Sequence, residues 1–214
     1  MSMELHAQLA GSVAVDSDYR FRGVSLSNSK PTLRLSLNYD SPNSWYSGAS
    51  LARVESEQGE PYAQTVVYGG YTAQINQGKS VEGGATFSHF IGDSTDDYGE
   101  AYIALLAERW NVRIFYAPEY FGRDLHTVYA EVNAYTTLNF NVRIFGHLGA
   151  LAASGVVSSS DSKTRIDTRI GADFVTGDID IQLAWTDATP RGPVYSIYGG
   201  GHRAAIVASA SVSF

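Results

Sequence analysis

The chain ends on HRAAIVASASVSF, residues 202–214, in which apolar and polar side chains alternate from Ala204 to the terminal Phe214. Successive side chains of a β-strand point to opposite faces, so this period of two is typical of a strand with one apolar face. The apolar set is Ala204, Ile206, Ala208, Ala210, Val212 and Phe214. The stretch therefore predicts a closing strand whose last ring lies at the edge of an apolar surface.

The same alternation recurs along the whole chain of 214 residues, in about twelve segments, and scarcely any stretch has a helical period of 3.6. Clear examples are 31–39, 140–150, 165–174 and 179–186. Nothing in the composition marks a linker or a second domain. Residues 1–214 are therefore predicted to form one all-β domain.

The connections between these segments alternate in length. Short turns are predicted at 40–44, 76–79, 107–111, 136–139 and 176–178, and the connections between them are mostly longer and more polar or glycine-rich. Short turns on one rim and long loops on the other are typical of an outer-membrane β-barrel. The pattern predicts a closed antiparallel transmembrane barrel of about twelve strands, with short periplasmic turns, longer extracellular loops and both termini on the periplasmic side.

Aromatic residues provide an independent indication of the same fold. Several of them lie on the apolar side of their segments and next to the predicted short turns, as expected for an aromatic girdle at one membrane interface. They are Tyr39, Trp45, Tyr71, Trp110, Phe140, Phe174 and Phe214.

Composition excludes several classes of protein. The net charge of −7 argues against nucleic acid as a partner, and no run of roughly eighteen apolar residues predicts a transmembrane helix. The absence of cysteine excludes disulfides and thiolate metal sites. His6, His126, His147 and His202 lie on different segments, so we predict no metal site, no cofactor and no catalytic residues.

The polar faces of the segments predict the residues that line the lumen. Arginine dominates the cations, with twelve Arg against three Lys, and its rigid fork suits fixed ion pairs with carboxylates. We expect a pore constriction at Arg20, Arg34, Arg143, Arg165, Arg169, Arg203, Glu100, Glu131 and Asp167. Arg22, Arg113 and Glu119 share the inward parity. Alternatively, the pairs only connect opposite walls and plug the lumen.

Two resemblances add to these inferences. Residues 17–40, SDYRFRGVSLSNSKPTLRLSLNYD, resemble the opening of the TorF family, an uncharacterised bacterial family of porin-like proteins. The ending on Phe214 resembles the C-terminal signal that the outer-membrane assembly machinery recognises. The resemblances imply a bacterial outer membrane, lipid and lipopolysaccharide as surroundings, and the assembly machinery as a partner of the last strand. The start MSMELHAQ lacks a signal peptide, so we expect that one was removed and an initiator Met added.

Together these observations predict a narrow passive channel for small polar, anionic or zwitterionic solutes, and not an enzyme. The alternative is a non-conducting structural or recognition barrel that binds a partner through its outer loops. A third hypothesis, a surface hydrolase, uses Asp124 and His126 near the long-loop rim, since a carboxylate beside a histidine can activate water.

Overall fold

A computed structural model describes residues 8–56, 59–92, 94–138, 141–155, 163–189 and 204–214. Almost all of the regular structure in these residues is β-strand, with two short 3-10 turns at Ser94–Asp96 and Tyr120–Gly122. The strands are β1 (Gln8–Asp16), β2 (Arg20–Phe21), β3 (Val24–Ser25), β4 (Thr32–Asp40), β5 (Trp45–Glu55), β6 (Pro61–Asn76), β7 (Lys79–Ile91), β8 (Tyr98–Ala107), β9 (Trp110–Ala117), β10 (Leu125–Thr137), β11 (Val142–Gly155), β12 (Thr164–Thr176), β13 (Ile179–Ala188) and β14 (Ala205–Ser213).

All strands except β2 and β3 form one closed antiparallel barrel, in which each strand pairs with the barrel strands before and after it in the chain. The barrel closes between β1 and β14, where Ser12 lies opposite Ser213. Gly11 and Phe214 exchange two backbone hydrogen bonds of 2.9 Å beyond that pairing. The predicted twelve-stranded closed barrel is confirmed, and the terminal stretch is its closing strand.

The alternation of connection lengths is also confirmed. The connections after β4, β6, β8, β10 and β12 are short and lie at one rim, which we call the short-turn rim. Gly78 (φ 82°) and Gly177 (φ 58°) supply the positive φ angles that two of these tight turns require. β9 ends at Ala117, directly before Pro118, whose missing N–H cannot extend the ladder.

The outer wall of the barrel is apolar. Large hydrophobic side chains such as Leu35, Ile170 and Ile206 are exposed on it at alternate positions of their strands, as in barrels whose wall faces lipid. The predicted girdle residues are exposed at the short-turn rim, except for Phe140, which lies outside the described residues. No helix in the described part of the chain is long and apolar enough to cross a membrane.

Residues 22–30 were predicted to form an outer loop, and this prediction is wrong for most of them. Residues 17–31, here called the inner segment, form the β2–β3 hairpin, and most of residues 22–27 are buried. Val24 and Leu26 are buried there against aromatic side chains from the barrel wall. We call this group the outer cluster: Val24, Leu26, Val54, Phe90, Tyr98, Ala117, Tyr120, Phe121, Leu125, Tyr129, Leu151 and Ala153. Burial of the apolar side chains of the inner segment drives the fold inward, because these side chains would otherwise face water.

Candidate functional site in the lumen

A cavity of about 750 Å³ lies inside the barrel, next to the inner segment. Its wall carries five arginines, six carboxylates and one histidine, so the lumen is polar and close to neutral. The charged residues are Arg20, Arg22, Arg34, Arg113, Arg169, Asp16, Asp18, Glu82, Glu100, Glu131 and Asp167, with His147. A smaller cavity of about 220 Å³ is lined by Tyr135, Arg143 and Asp173, among others.

The structure brings most of the predicted constriction residues to these cavities. Six of them line the larger cavity: Arg20, Arg34, Arg169, Glu100, Glu131 and Asp167. Arg143 lines the smaller one, whereas Arg165, near the outer end of β12, belongs to neither lining. Arg203 lies outside the described residues. Glu119 is exposed after the end of β9 and belongs to neither cavity lining. That the lining residues form a constriction remains a prediction.

Arg22 lines the larger cavity but is not among the predicted constriction residues. Its two terminal nitrogens donate to the two carboxylate oxygens of Glu100, both at 2.9 Å, and both side chains are almost fully buried, at 4% and 3% exposure. The guanidinium also lies 4.0 Å from the ring centre of Tyr129 and 5.0 Å from that of Phe115. A bidentate pair enclosed by aromatic faces fixes the inner segment to the opposite wall.

Polar contacts within the inner segment stabilise its own fold, and an ion pair connects its end to the barrel wall. Asp18 accepts hydrogen bonds from Arg20 Nε and Ser25 Oγ, both at 2.6 Å, and from Ser27 Oγ at 3.3 Å. The carboxylate therefore satisfies the hydroxyl groups that the segment buries, as buried polar groups require. At the end of the segment Lys30 forms an ion pair with Glu55 on β5.

The tip and the start of the inner segment contact the barrel wall directly. Gly23 has φ 77° and lies so close to the wall that a Cβ there would be 2.7 Å from the Cβ of Ala188 and 2.8 Å from that of Asp167. Tyr19 donates to Gln64 Oε1 at 3.2 Å. Burial raises the pKa of the Tyr19 phenol above its usual value, so the hydroxyl stays a neutral donor. The segment thus crosses the lumen and contacts β6 and the β12–β13 wall.

Several lumenal arginines pair with carboxylates of neighbouring strands. Arg113 donates to Glu82 at 2.8 Å and lies 3.9 Å from Glu131. Arg143 forms an ion pair with Asp173, whose side chain is completely buried. These pairs neutralise their arginines and join strands that are adjacent in the wall or, for Arg113 and Glu82, separated by β8. That such pairs join opposite walls and plug the lumen remains a prediction.

A second polar network surrounds His147. Its Nε2 lies 2.8 Å from Asp167 Oδ1, and its Nδ1 lies 2.7 Å from Asn133 Oδ1. Tyr129 donates to Asp167 at 3.2 Å and lies 3.1 Å from His147 Nε2. Every polar atom named here has a partner within the network, so these side chains form a rigid part of the cavity wall.

Inward tyrosines lie flat against the wall because glycines face them on the adjacent strands. Tyr46 is directly opposite Gly70, Tyr68 opposite Gly48, and Tyr102 opposite Gly84. A Cβ on any of the three glycines would be 2.3–2.6 Å from the phenol group of its tyrosine. The rings therefore cover the glycine backbone and do not extend across the lumen, which leaves the cavity between them.

Two histidines lie near the outer ends of their strands, His89 on β7 and His126, a residue of the hydrolase hypothesis, on β10. Asp97 Oδ2 lies 2.6 Å from His89 Nδ1, and its Oδ1 accepts from the backbone N–H of Phe90 at 2.8 Å. His126 is exposed at the start of β10. Within the described residues no group of His, Asp and Glu side chains could hold a metal ion.

Solved structures share this architecture. The KdgM porin superposes with a TM-score of 0.59 at 12% identity, covering 97% of this chain and 99% of that chain. The NanC porin gives 0.60 at 14% identity, covering 97% and 99%. The translocator domain of the autotransporter NalP from Neisseria meningitidis gives 0.52 at 10% identity, covering 99% of this chain and 89% of that chain. At these identities the similarity shows the fold, which is that of outer-membrane porins.

Comparison of the sequence itself identifies the family. No curated protein matches the sequence. The family model Gcw_chp, described as a bacterial protein of unknown function, matches residues 5–213. That description does not carry the TorF name, so the more specific resemblance of residues 17–40 remains a prediction. The match over nearly the whole chain shows that this protein belongs to the Gcw_chp family of bacterial proteins.

Proposed function

We propose that this protein is a narrow, porin-like passive channel for small polar solutes in a bacterial outer membrane. The observation that carries the proposal is the charged cavity of about 750 Å³ inside a barrel with an apolar outer wall. Barrels of about eight strands are filled by their own side chains and barrels of sixteen leave a water-filled channel. A twelve-stranded barrel with tyrosines flat against its wall fits a narrow passage between these extremes.

The charge balance of the lumen is compatible with anionic or zwitterionic polar solutes. Five arginines face six carboxylates around the larger cavity, so the lumen carries little net charge to exclude either sign of ion. Paired charges of both signs can replace part of the hydration of a zwitterion at the same time. Movement through the channel follows the concentration gradient of the solute.

Swelling of proteoliposomes tests this proposal. Refolded protein is inserted into vesicles that contain an impermeant polysaccharide, and the vesicles are diluted into isotonic glycine, arabinose or a large oligosaccharide. The channel predicts rapid swelling in glycine and arabinose and none in the oligosaccharide. Migration of unboiled and boiled samples on a detergent gel confirms folding, and absence of swelling from folded protein would contradict the proposal.

A specific observation favours the second candidate, a non-conducting barrel that binds a partner through its outer loops. The inner segment and the outer cluster fill the lumen near the long-loop rim, and Leu26, Val54 and Phe90 have no exposed surface. If this closure is permanent, the barrel conducts nothing and its function lies in its loops. Folded protein that is silent in the swelling assay would support this candidate.

A location in the outer membrane implies two partners for this protein. The exposed apolar wall fits contact with membrane lipid and lipopolysaccharide, and Phe214, 78% exposed at the short-turn rim, is available to the assembly machinery. Deletion of Phe214 should reduce the amount of barrel recovered in outer-membrane fractions of cells. Equal recovery of the deletion variant and the full chain would argue against recognition of this residue.

A further inference from the structure

We infer that Arg169, with Arg34 as a second donor, forms a subsite in the lumen that binds the carboxylate group of a permeating solute. The inference rests on the proposed channel function and names the chemical class that its lumen recognises. It comes from the contrast between Arg169 and the other arginines of the cavity.

Arg169 differs from Arg22 and Arg113 in its hydrogen-bond partner. Those two arginines donate to carboxylates, whereas Arg169 donates to the neutral amide oxygen of Gln182. No carboxylate in the described part of the chain forms an ion pair with Arg169. Its guanidinium lies 5.4 Å from the ring centre of Phe145, which holds the planar group without neutralising it. Asp16 and Asp173 attract the Arg169 guanidinium electrostatically without forming an ion pair with it. A half-buried cation that no carboxylate contacts directly is costly, and an anionic ligand that does contact it would lower that cost.

Arg34 supplies further donors in the same cavity. Its side chain is 37% exposed, and it donates through Nε and one terminal nitrogen to Asp16 at 3.2 and 3.4 Å. Asp16 also accepts from Ser209 Oγ at 2.6 Å, so this carboxylate is shared. A guanidinium has five N–H donors, and the contacts to Asp16 leave donors of Arg34 for a ligand.

The local charge favours a carboxylate over a phosphate. The charges that act on Arg169 are those of Arg34, Asp16 and Asp173. Asp173 is already paired with Arg143, so Arg169 and Arg34 with Asp16 leave a net charge of one positive unit, which matches a single carboxylate. A phosphate monoester carries a charge of roughly −1.5 to −2 at neutral pH. It would exceed the positive charge of this site, and the other carboxylates of the lumen would repel the excess. The planar fork of an arginine also matches the two oxygens of a carboxylate.

Binding of lactate to the folded barrel in detergent micelles, followed by NMR at constant ionic strength, tests the subsite. Lactamide, in which the carboxylate is replaced by a neutral amide of similar shape, is the matched ligand control. We expect saturable binding of lactate, with lactamide at least tenfold weaker. Equal binding of lactate and lactamide would overturn the inference, and tenfold tighter binding of inorganic phosphate would overturn its assignment to carboxylates.

Three variants locate the binding. Arg169→Gln should weaken lactate binding at least tenfold, and Arg169→Lys, which keeps the charge but loses the planar fork, should weaken it less. Arg109→Gln removes the same charge from an exposed turn at the short-turn rim and should bind like the wild type. If Arg169→Gln migrates as a folded barrel and binds lactate like the wild type, the subsite is refuted.

The outcomes of this experiment separate the subsite from the channel. Binding that depends on Arg169 in a protein that conducts no ions would support the subsite and contradict the channel. Conduction together with lactate binding that ignores Arg169 would support the channel and overturn the subsite.

Discussion

The buried pair between Arg22 and Glu100 predicts how tightly the inner segment is held in the lumen. Replacing Arg22 by Met removes the cation and leaves the Glu100 carboxylate, 3% exposed, without its bidentate partner. Breaking a buried ion pair by removing one member costs about 3–5 kcal/mol. Since 1.4 kcal/mol is tenfold in an equilibrium, the population with the segment displaced should rise roughly a hundred- to a few-thousand-fold.

A single introduced cysteine measures that population, because the chain contains no other cysteine. Val24 is 4% exposed in the outer cluster, so Val24→Cys should react slowly with a maleimide when Arg22 is present. Adding Arg22→Met should accelerate labelling roughly a hundred- to a few-thousand-fold, provided that the segment opens and closes faster than the exposed cysteine reacts. Asn43→Cys, at an exposed turn, should label rapidly in both backgrounds and controls for reagent and protein quality.

A double variant tests whether the faster labelling comes from the unpaired Glu100 carboxylate. In Arg22→Met/Glu100→Met both charges are removed, and replacement of a buried pair by apolar residues is often neutral or stabilising. Labelling of Val24→Cys should therefore return to near the slow rate. Equal labelling rates with and without Arg22 would refute the idea that this pair holds the segment.

Two further predictions concern the wall of the barrel. Gly171→Val should destabilise the barrel by about 1–3 kcal/mol through overpacking, because a Cβ at Gly171 would lie 2.4 Å from the backbone oxygen of Leu183. Gly146→Val is the control, since a Cβ at Gly146 has nothing within 4 Å, and it should leave the unfolding midpoint in urea nearly unchanged. Arg143→Met should lower the free energy of unfolding by about 3 kcal/mol, the lower end for a buried pair, because Arg143 is 42% exposed while Asp173 is fully buried. Equal urea midpoints for this variant and the wild type would contradict the structural role of the pair.

Much of the fold could be predicted because a barrel wall imposes a strict local rule. Leu33, Leu35 and Leu37 alternate in sequence and are all exposed on the outer wall, since each strand has one face toward each side. The inner segment could not be predicted in this way. Its burial depends on contacts of Leu26 with side chains such as Phe90, which are distant in the sequence and meet only once the barrel has closed.

The lumenal site was predictable in its composition but not in its pairing. Parity placed Arg34 and Arg169 inside, and both line the cavity. Arg169 is directly opposite Thr186 in the ladder, yet it donates to Gln182, which lies four residues before Thr186 on β13, toward the short-turn rim. The reach of a long side chain along the strand decides this partner, and the sequence pattern contains no information on that reach.

The current through single refolded barrels in a planar bilayer shows directly whether the protein is a passive channel. We expect discrete ohmic steps, and a small reversal potential in a salt gradient because the lumen is nearly neutral. Addition of Arg22→Met should increase the open time or the conductance. Silence from correctly folded protein, both wild type and Arg22→Met, would contradict the channel and move the search for function to the outer loops.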